Sequence, residues 1–232
     1  MYRVFKFTFL AASLSYLGMR KVYLLGGESV CKRDGEEVNR QAFSDVGGSP
    51  DVLVFSWARA NFDQSYQRQK LVYDYLRYLG ANSVFFVDYS FSLQELKEKM
   101  GLADLVYLTG GSPSILIERF KRVGVDVLLK DFEGVIVGRS AGALALCKKC
   151  LVTIRSTKQV KMIDGLGLVD LTMKTHYSRK KDEMLKVLSM GERIFAVPRG
   201  SALVYDTNGN LSCINKVYLF ENSERQKCYL SQ

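Results

Sequence analysis

Proline is scarce in this chain, 3 in 232 residues, and no Pro-rich tract, internal repeat or low-complexity segment breaks it up. Flexible linkers and solenoid architectures are thereby excluded. Histidine is scarcer still: 1, at position 176. A metal held by several imidazoles is ruled out, and any serine–histidine chemistry has a single possible base. The 5 cysteines (Cys31, Cys147, Cys150, Cys213, Cys228) are odd in number and widely scattered, which excludes a secreted disulfide framework and implies reduced thiols in a cytoplasm. Cys147-Lys-Lys-Cys150 has redox or metal-ligand spacing, but no second pair accompanies it, so packing on one side of a helix is expected. No apolar run is long enough to span a bilayer. The stretch from Phe7 to Leu17 follows Arg3 and Lys6 like a leader, yet lacks a small-x-small cleavage site. Residues 1–19 are therefore read as an extension or a misassigned start, and 20–232 as one domain. A long basic run is missing too, since the net charge of +9 is spread over short clusters such as Arg179-Lys180-Lys181. Neither nucleic acid nor a membrane is expected as partner.

What the chain does have is an ordinary globular balance, 47% apolar and 25% charged, enough to bury a core without metals or disulfides. Short apolar runs at Val22–Leu25, Val52–Ser56, Val84–Val87, Leu105–Leu108 and Val135–Val137 read as buried parallel strands. Between them lie segments of helical period, clearest over 64–79 after a cap at Asp63, and Ser92-Leu-Gln-Glu95 opens another helix as a capping box. This alternation predicts a doubly wound, mostly parallel α/β sheet with its ligands at the strands' carboxyl ends. Beyond Cys150 the stretches Leu151–Ile154, Met173–Tyr177, Ala202–Tyr205 and Val217–Phe220 read as further strands, with a helix near Asp182–Ser189.

Gly134-Val-Ile-Val-Gly138-Arg139-Ser140-Ala141-Gly142-Ala143 joins an apolar strand to a small-residue helix through a serine. This is the pattern of a nucleophile elbow, whose strained turn and close helix require small neighbours. The amide of Ala141 is one candidate oxyanion donor, and Thr109-Gly110-Gly111-Ser112, after another strand, supplies two more. Gly26-Gly27-Glu28 after the first strand is similar and borders the cleft. His176 follows the strand Leu171–Thr175 and is the candidate base. Chance and tight strand-on-helix packing would produce the serine pentapeptide alone; its position late in a parallel sheet favours the catalytic reading.

Taken together, Thr109-Gly-Gly-Ser, Gly138-Arg-Ser-Ala-Gly-Ala, Gly165-Leu-Gly-Leu-Val-Asp170, Thr175-His-Tyr and Tyr218-Leu-Phe-Glu-Asn222 resemble the peptidase E family, and more distantly the cyanophycinases. The resemblance spans roughly residues 20 to 222 and implies a glutamine-amidotransferase-like fold. It further implies Ser140 as nucleophile, His176 as base, Gly110, Gly111 and Ala141 as oxyanion site, no cofactor, no metal, and short peptides as substrates, dipeptides beginning with aspartate being favoured. A cationic pocket is then expected, with Arg139, Arg155 and Arg199 as candidates on charge grounds. Two positions depart from the family: Lys158-Gln159 stands where a proposed acidic partner of the histidine lies, and Arg199 follows Val197-Pro198, where a glutamate is common. Asp164, Asp170 and Asp206 are the candidate substitutes. The reading is a cytoplasmic serine dipeptidase-like hydrolase. Its rival is a weak or inactive relative that binds peptides or small molecules, while an amidotransferase is disfavoured because its elbow residue is a cysteine.

Overall fold

The computed structural model describes residues 20–59, 66–154, 156–157 and 159–228. The extension read over 1–19, the cap expected at Asp63, and Arg155 and Lys158 lie outside them.

The first half alternates as expected: β1 (Lys21–Leu25), α1 (Glu36–Ser44), β2 (Asp51–Phe55), α2 (Tyr66–Leu79), β3 (Ser83–Phe86), α3 (Leu93–Gly101), β4 (Leu105–Leu108), α4 (Pro113–Val123), α5 (Val125–Asp131), β5 (Val135–Arg139) and α6 (Ala141–Leu146). The second half holds β6 (Cys147–Thr153), β7 (Val160–Asp164), β8 (Val169–Thr175), a short 3-10 turn (Arg179–Lys181), α7 (Asp182–Leu188), β9 (Ile194–Val197), β10 (Ala202–Asp206), β11 (Leu211–Ile214), β12 (Val217–Glu221) and β13 (Glu224–Cys228). Helix ends obey local chemistry. Ser92 and Glu95 close the capping box over α3, with Ser92 N donating to Glu95 Oε2 at 2.8 Å. Pro113 opens α4, and Gly124, at φ 87°, ends it in the left-handed region.

The strands form two sheets. One has the order β11-β10-β1-β5-β4-β2-β3, in which β1 to β5 run parallel and β10 and β11 add an antiparallel edge; the other has the order β13-β12-β9-β8-β6-β7. In the second, β6, β8 and β9 are parallel neighbours. Alternation along β1 sorts its side chains between two cores. Tyr23 and Leu25 pack with Phe43 and Leu76 from α1 and α2, whereas Val22 and Leu24 join a larger cluster with Trp57, Phe120, Val169, Met173 and Val197. That larger cluster draws on both sheets, so the second sheet packs against one face of the first. The second sheet's other face carries Ile194, Ala196 and Phe220, packed with Tyr177 and Leu185.

One expectation is corrected. Cys147-Lys-Lys-Cys150 begins a strand rather than lying on a helix, and both cysteines are buried. Residues three apart on a regular strand face opposite sides, but the register of β6 against β8 slips between Cys147 and Lys149, which lets both thiols turn inward.

Candidate active site

Between the last residue of β5 and the first of α6 only Ser140 remains to turn the chain. It does so at φ 53° and ψ −100°, a conformation that costs a side-chain-bearing residue about 1–3 kcal/mol and persists only where the surroundings enforce it. The enforcement is visible at the flanking glycines. A Cβ on Gly138 would stand 2.6 Å from the Ala143 nitrogen, and one on Gly142 would stand 2.5 Å from the Leu108 carbonyl oxygen. The sequence therefore needs glycine on both sides of the serine for the helix to sit this close to the sheet.

The carboxyl end of β1 anchors both halves of the pair. Ser140 N donates to Leu25 O, and His176 N donates to the next carbonyl, Gly26 O, each at 2.9 Å. His176 leaves β8 with a positive φ of 51°, and Gly27 (φ 131°) lies against its ring: a Cβ there would be 2.3 Å from Cε1 and 2.7 Å from Nδ1. The ring so placed brings Nε2 to 2.7 Å from Ser140 Oγ, a hydrogen bond of full strength. Ser140 and His176 come from different sheets, and their meeting is a product of the packing between them.

The Gly110-Gly111 turn is fixed at its ends by Thr109 N donating to Phe55 O (3.1 Å) and Ser112 N donating to Ala58 O (2.6 Å). Gly111 packs on Ala58, where a Cβ would meet the carbonyl oxygen at 2.3 Å; Gly110 runs alongside Ser140, its own Cβ position 3.6 Å from Ser140 Cβ. Ala141 opens α6, where backbone N–H groups have no partner within the helix. Gly110 and Ala141 thus flank Ser140, while Gly111 sits one residue further along the turn, against Ala58.

Burial, followed by the charges of Arg199, Lys181 and Lys174, pushes His176 down from 6.5 to about 4, with Asp34 opposing. The residue is exposed by surface area, and three cations against one carboxylate act in the same direction as burial. Lys181 reinforces the placement by donating from Nζ to His176 O. Lys174, buried two residues before the histidine, donates to Leu151 O at 2.9 Å and Thr153 Oγ1 at 2.8 Å. Burial and the charge of Lys181 bring it down to about 8.

A sequence model of peptidase family S51 matches residues 24–208, from β1 to the turn after β10. The chain belongs to peptidase family S51. An uncharacterized peptidase of Listeria monocytogenes is 33% identical over 95 residues, which cover 38% of this chain and 46% of that protein. The match thus spans under half of that relative's length. Two solved structures share the fold. A peptidase from an acI-B1 actinobacterium aligns with a TM-score of 0.67 at 16% identity, covering 93% of this S51 chain and 96% of its own. A putative peptidase E from Listeria monocytogenes gives 0.65 at 21%, covering 84% and 98%.

Within this S51 chain, the three candidate substitutes for an acidic partner are placed elsewhere, two of them with partners of their own. Asp170 pairs with Lys148 at 2.9 Å, Asp206 accepts from Asn208 N and Asn210 N within its own turn, and Asp164 lies on β7 opposite Lys149. Among the described residues the His176 ring has no hydrogen bond to a carboxylate. Arg199 does reach the cleft, where Nη2 stands 3.4 Å from Asp34 Oδ2. Arg139 lies beside Ser140, with Nη1 3.8 Å from the fully buried Glu28 carboxylate. Glu28 in turn accepts from Tyr107 OH, Tyr75 OH (3.3 Å) and Asn39 Nδ2 (2.9 Å), a braced network under the Gly26-Gly27 turn. Arg139 also lines a cavity of about 230 Å³ with Arg59, Arg68, Ser56 and Thr109. Asp34 and Arg59 had no periodicity or motif to mark them, and Glu28 was marked only as the residue after Gly26-Gly27. The one available signal was Gly26-Gly27, two glycines directly after a buried strand, where the backbone carries the histidine.

Proposed function

We propose that this S51 chain is a serine peptidase that hydrolyses short peptides, Asp-X dipeptides foremost, through an acyl-enzyme. The observation that carries this reading is the 2.7 Å contact between Ser140 Oγ and His176 Nε2, made by a serine held in a strained elbow. For Nε2 to accept the hydroxyl proton, the neutral ring must carry its own proton on Nδ1. The hydroxyl oxygen then attacks the scissile carbonyl as Nε2 takes its proton. The amides of Ala141, Gly110 and Gly111 receive the developing oxyanion. The imidazolium next delivers that proton to the leaving amine, and a water molecule, deprotonated by the same nitrogen, releases the acyl group and restores Ser140. Acidic substrates are favoured by the arginines that line the cavity beside Thr109, Arg59, Arg68 and Arg139.

The test is a screen of dipeptides, Asp-X and neutral, with a fluorophosphonate probe in parallel. Wild-type protein is expected to take up the probe and Ser140→Ala to lose both labelling and turnover, with circular dichroism unchanged. Equal labelling of the two proteins would refute the assignment. The depressed, cation-surrounded histidine favours a second reading, a weak hydrolase that mainly binds acidic peptides. It predicts Asp-X binding by calorimetry without turnover.

A further inference from the structure

The strands β5, β4 and β2 are neighbours in the first sheet, and the residues that end or follow them, Arg139, Thr109 and Ser56, line one cavity of about 230 Å³ at their carboxyl ends. Ser56 and Thr109 are buried, and the Arg139 side chain is only 13% exposed. Their donors are left over. Among the described residues neither hydroxyl makes a hydrogen bond, and the Arg139 side chain makes none either: its contacts are Glu28 Oε1, 3.8 Å from Nη1, and the Tyr107 ring, 5.9 Å from Cζ. The long approach to Glu28 has a cause. That carboxylate already accepts from Tyr107 OH at Oε1, and from Tyr75 OH (3.3 Å) and Asn39 Nδ2 (2.9 Å) at Oε2. Glu28 therefore attracts the guanidinium by charge while leaving its N–H groups to the cavity. Ser140 is close by. The Cβ position of Gly110 is 3.6 Å from Ser140 Cβ and 3.7 Å from Arg139 Nε, so only the width of the Gly110 turn separates the serine from the guanidinium.

We propose that Arg139, Ser56 and Thr109 form the subsite that binds the carboxylate of an acidic side chain on the acyl side of the scissile bond. This deepens, and rests on, the reading of Ser140 as the nucleophile. A carboxylate offers two oxygens to a guanidinium fork and spare lone pairs to two hydroxyls, which matches this donor set. A neutral amide of the same shape offers one oxygen, and its NH2 group meets only the donors of Arg139. The short separation from Ser140 suits the single methylene of an aspartyl side chain. Arg59 and Arg68 line the same cavity, but both have interactions of their own, and Arg68 is exposed on α2. They add positive potential that steers an acidic peptide inward, an effect that salt screens, and they are not its ligands.

The test compares Asp-X with Asn-X dipeptides of the same X. Arg139→Gln is expected to cut the Asp-X to Asn-X ratio of kcat/KM about 10²-fold, chiefly through KM for Asp-X. Ser56→Ala and Thr109→Val are each expected to lower it about 5-fold. Arg68→Gln is expected to lower it by no more than about 2-fold, a change that added salt abolishes. Arg139→Gln leaves Glu28 buried without its cation, so the double variant with Glu28→Gln, which removes both charges, must show the same loss. An unchanged ratio in both Arg139 variants overturns the proposal, as does a loss in Arg68→Gln as large as in Arg139→Gln. Calorimetry of Asp-X against Ser140→Ala, with and without Arg139→Gln, reads the subsite apart from turnover. Asp-X binding that depends on Arg139 in a protein without hydrolytic activity keeps the subsite and sinks the peptidase reading; equal hydrolysis of Asp-X and Asn-X by the wild type does the reverse.

Discussion

In the proposed mechanism His176 accepts a proton from Ser140 while three cations resist that charge, and the pH dependence follows from this conflict. A free imidazole would lose activity below about 6.5. Burial and the cations bring the protonation down to about 4, so kcat/KM is expected to be level from pH 8 to 5 and to fall only as pH approaches 4. A midpoint near 6.5 in a pH–rate profile would refute this environment. Stability follows the same sign. Between about 4 and 6.5 the unfolded chain holds more protons on this histidine than the folded one, so acidification across that window erodes stability, and thermal melts of His176→Gln should lose that part of the slope. Gly27→Ala places a methyl group where the ring lies and is expected to cut labelling and turnover about 10²-fold, the cost of shifting a reacting group by an ångström. Ser140 and His176 were legible in the sequence because a strained elbow demands small neighbours and a lone histidine admits no competitor. The pairing of Asp34 with Arg199 was not, because an exposed aspartate in a turn carries no periodicity, and the pair exists only once the turns after β1 and β9 are folded together.

The parallel strands β1, β2, β4 and β5 announced themselves as apolar runs because they are buried on both faces, while the edge strand β3 was legible from its aromatic and β-branched residues though it is half-exposed. In the second half, β8, β10, β12 and the end of β6 from Leu151 were legible as apolar stretches, whereas the start of β6 and β7, β11 and β13 were not. The burial of these last three is partial throughout, and β13 is exposed along most of its length, so hydrophobicity gave them no outline. β9, though buried, has only 4 residues. Its boundary was hidden by brevity. The elbow helix makes a sharper demand on sequence. Gly142 faces the backbone of β4, so Gly142→Ala must push α6 off the sheet; a stability loss of about 1–3 kcal/mol by urea unfolding is expected, with fluorophosphonate labelling reduced in step. Labelling that survives a full loss of that size would mean that the elbow does not depend on the fit of α6.

Across the whole molecule the thiols divide by depth. Cys31 is exposed, Cys213 and Cys228 are half-buried, and Cys147 and Cys150 sit in the core, where burial pushes Cys150 up to about 12 and Cys147 higher than its ordinary value. Titration with a thiol reagent is expected to modify Cys31 first and Cys147 and Cys150 only on unfolding; early modification of either core cysteine would contradict the packing of β6. The same inter-sheet core governs when the proposed chemistry can begin. Ser140 leaves the ribosome 36 residues before His176, and the two meet only after the second sheet has closed on the first. A half-made chain thus carries a serine with no base and cannot cut the unfolded polypeptide around it.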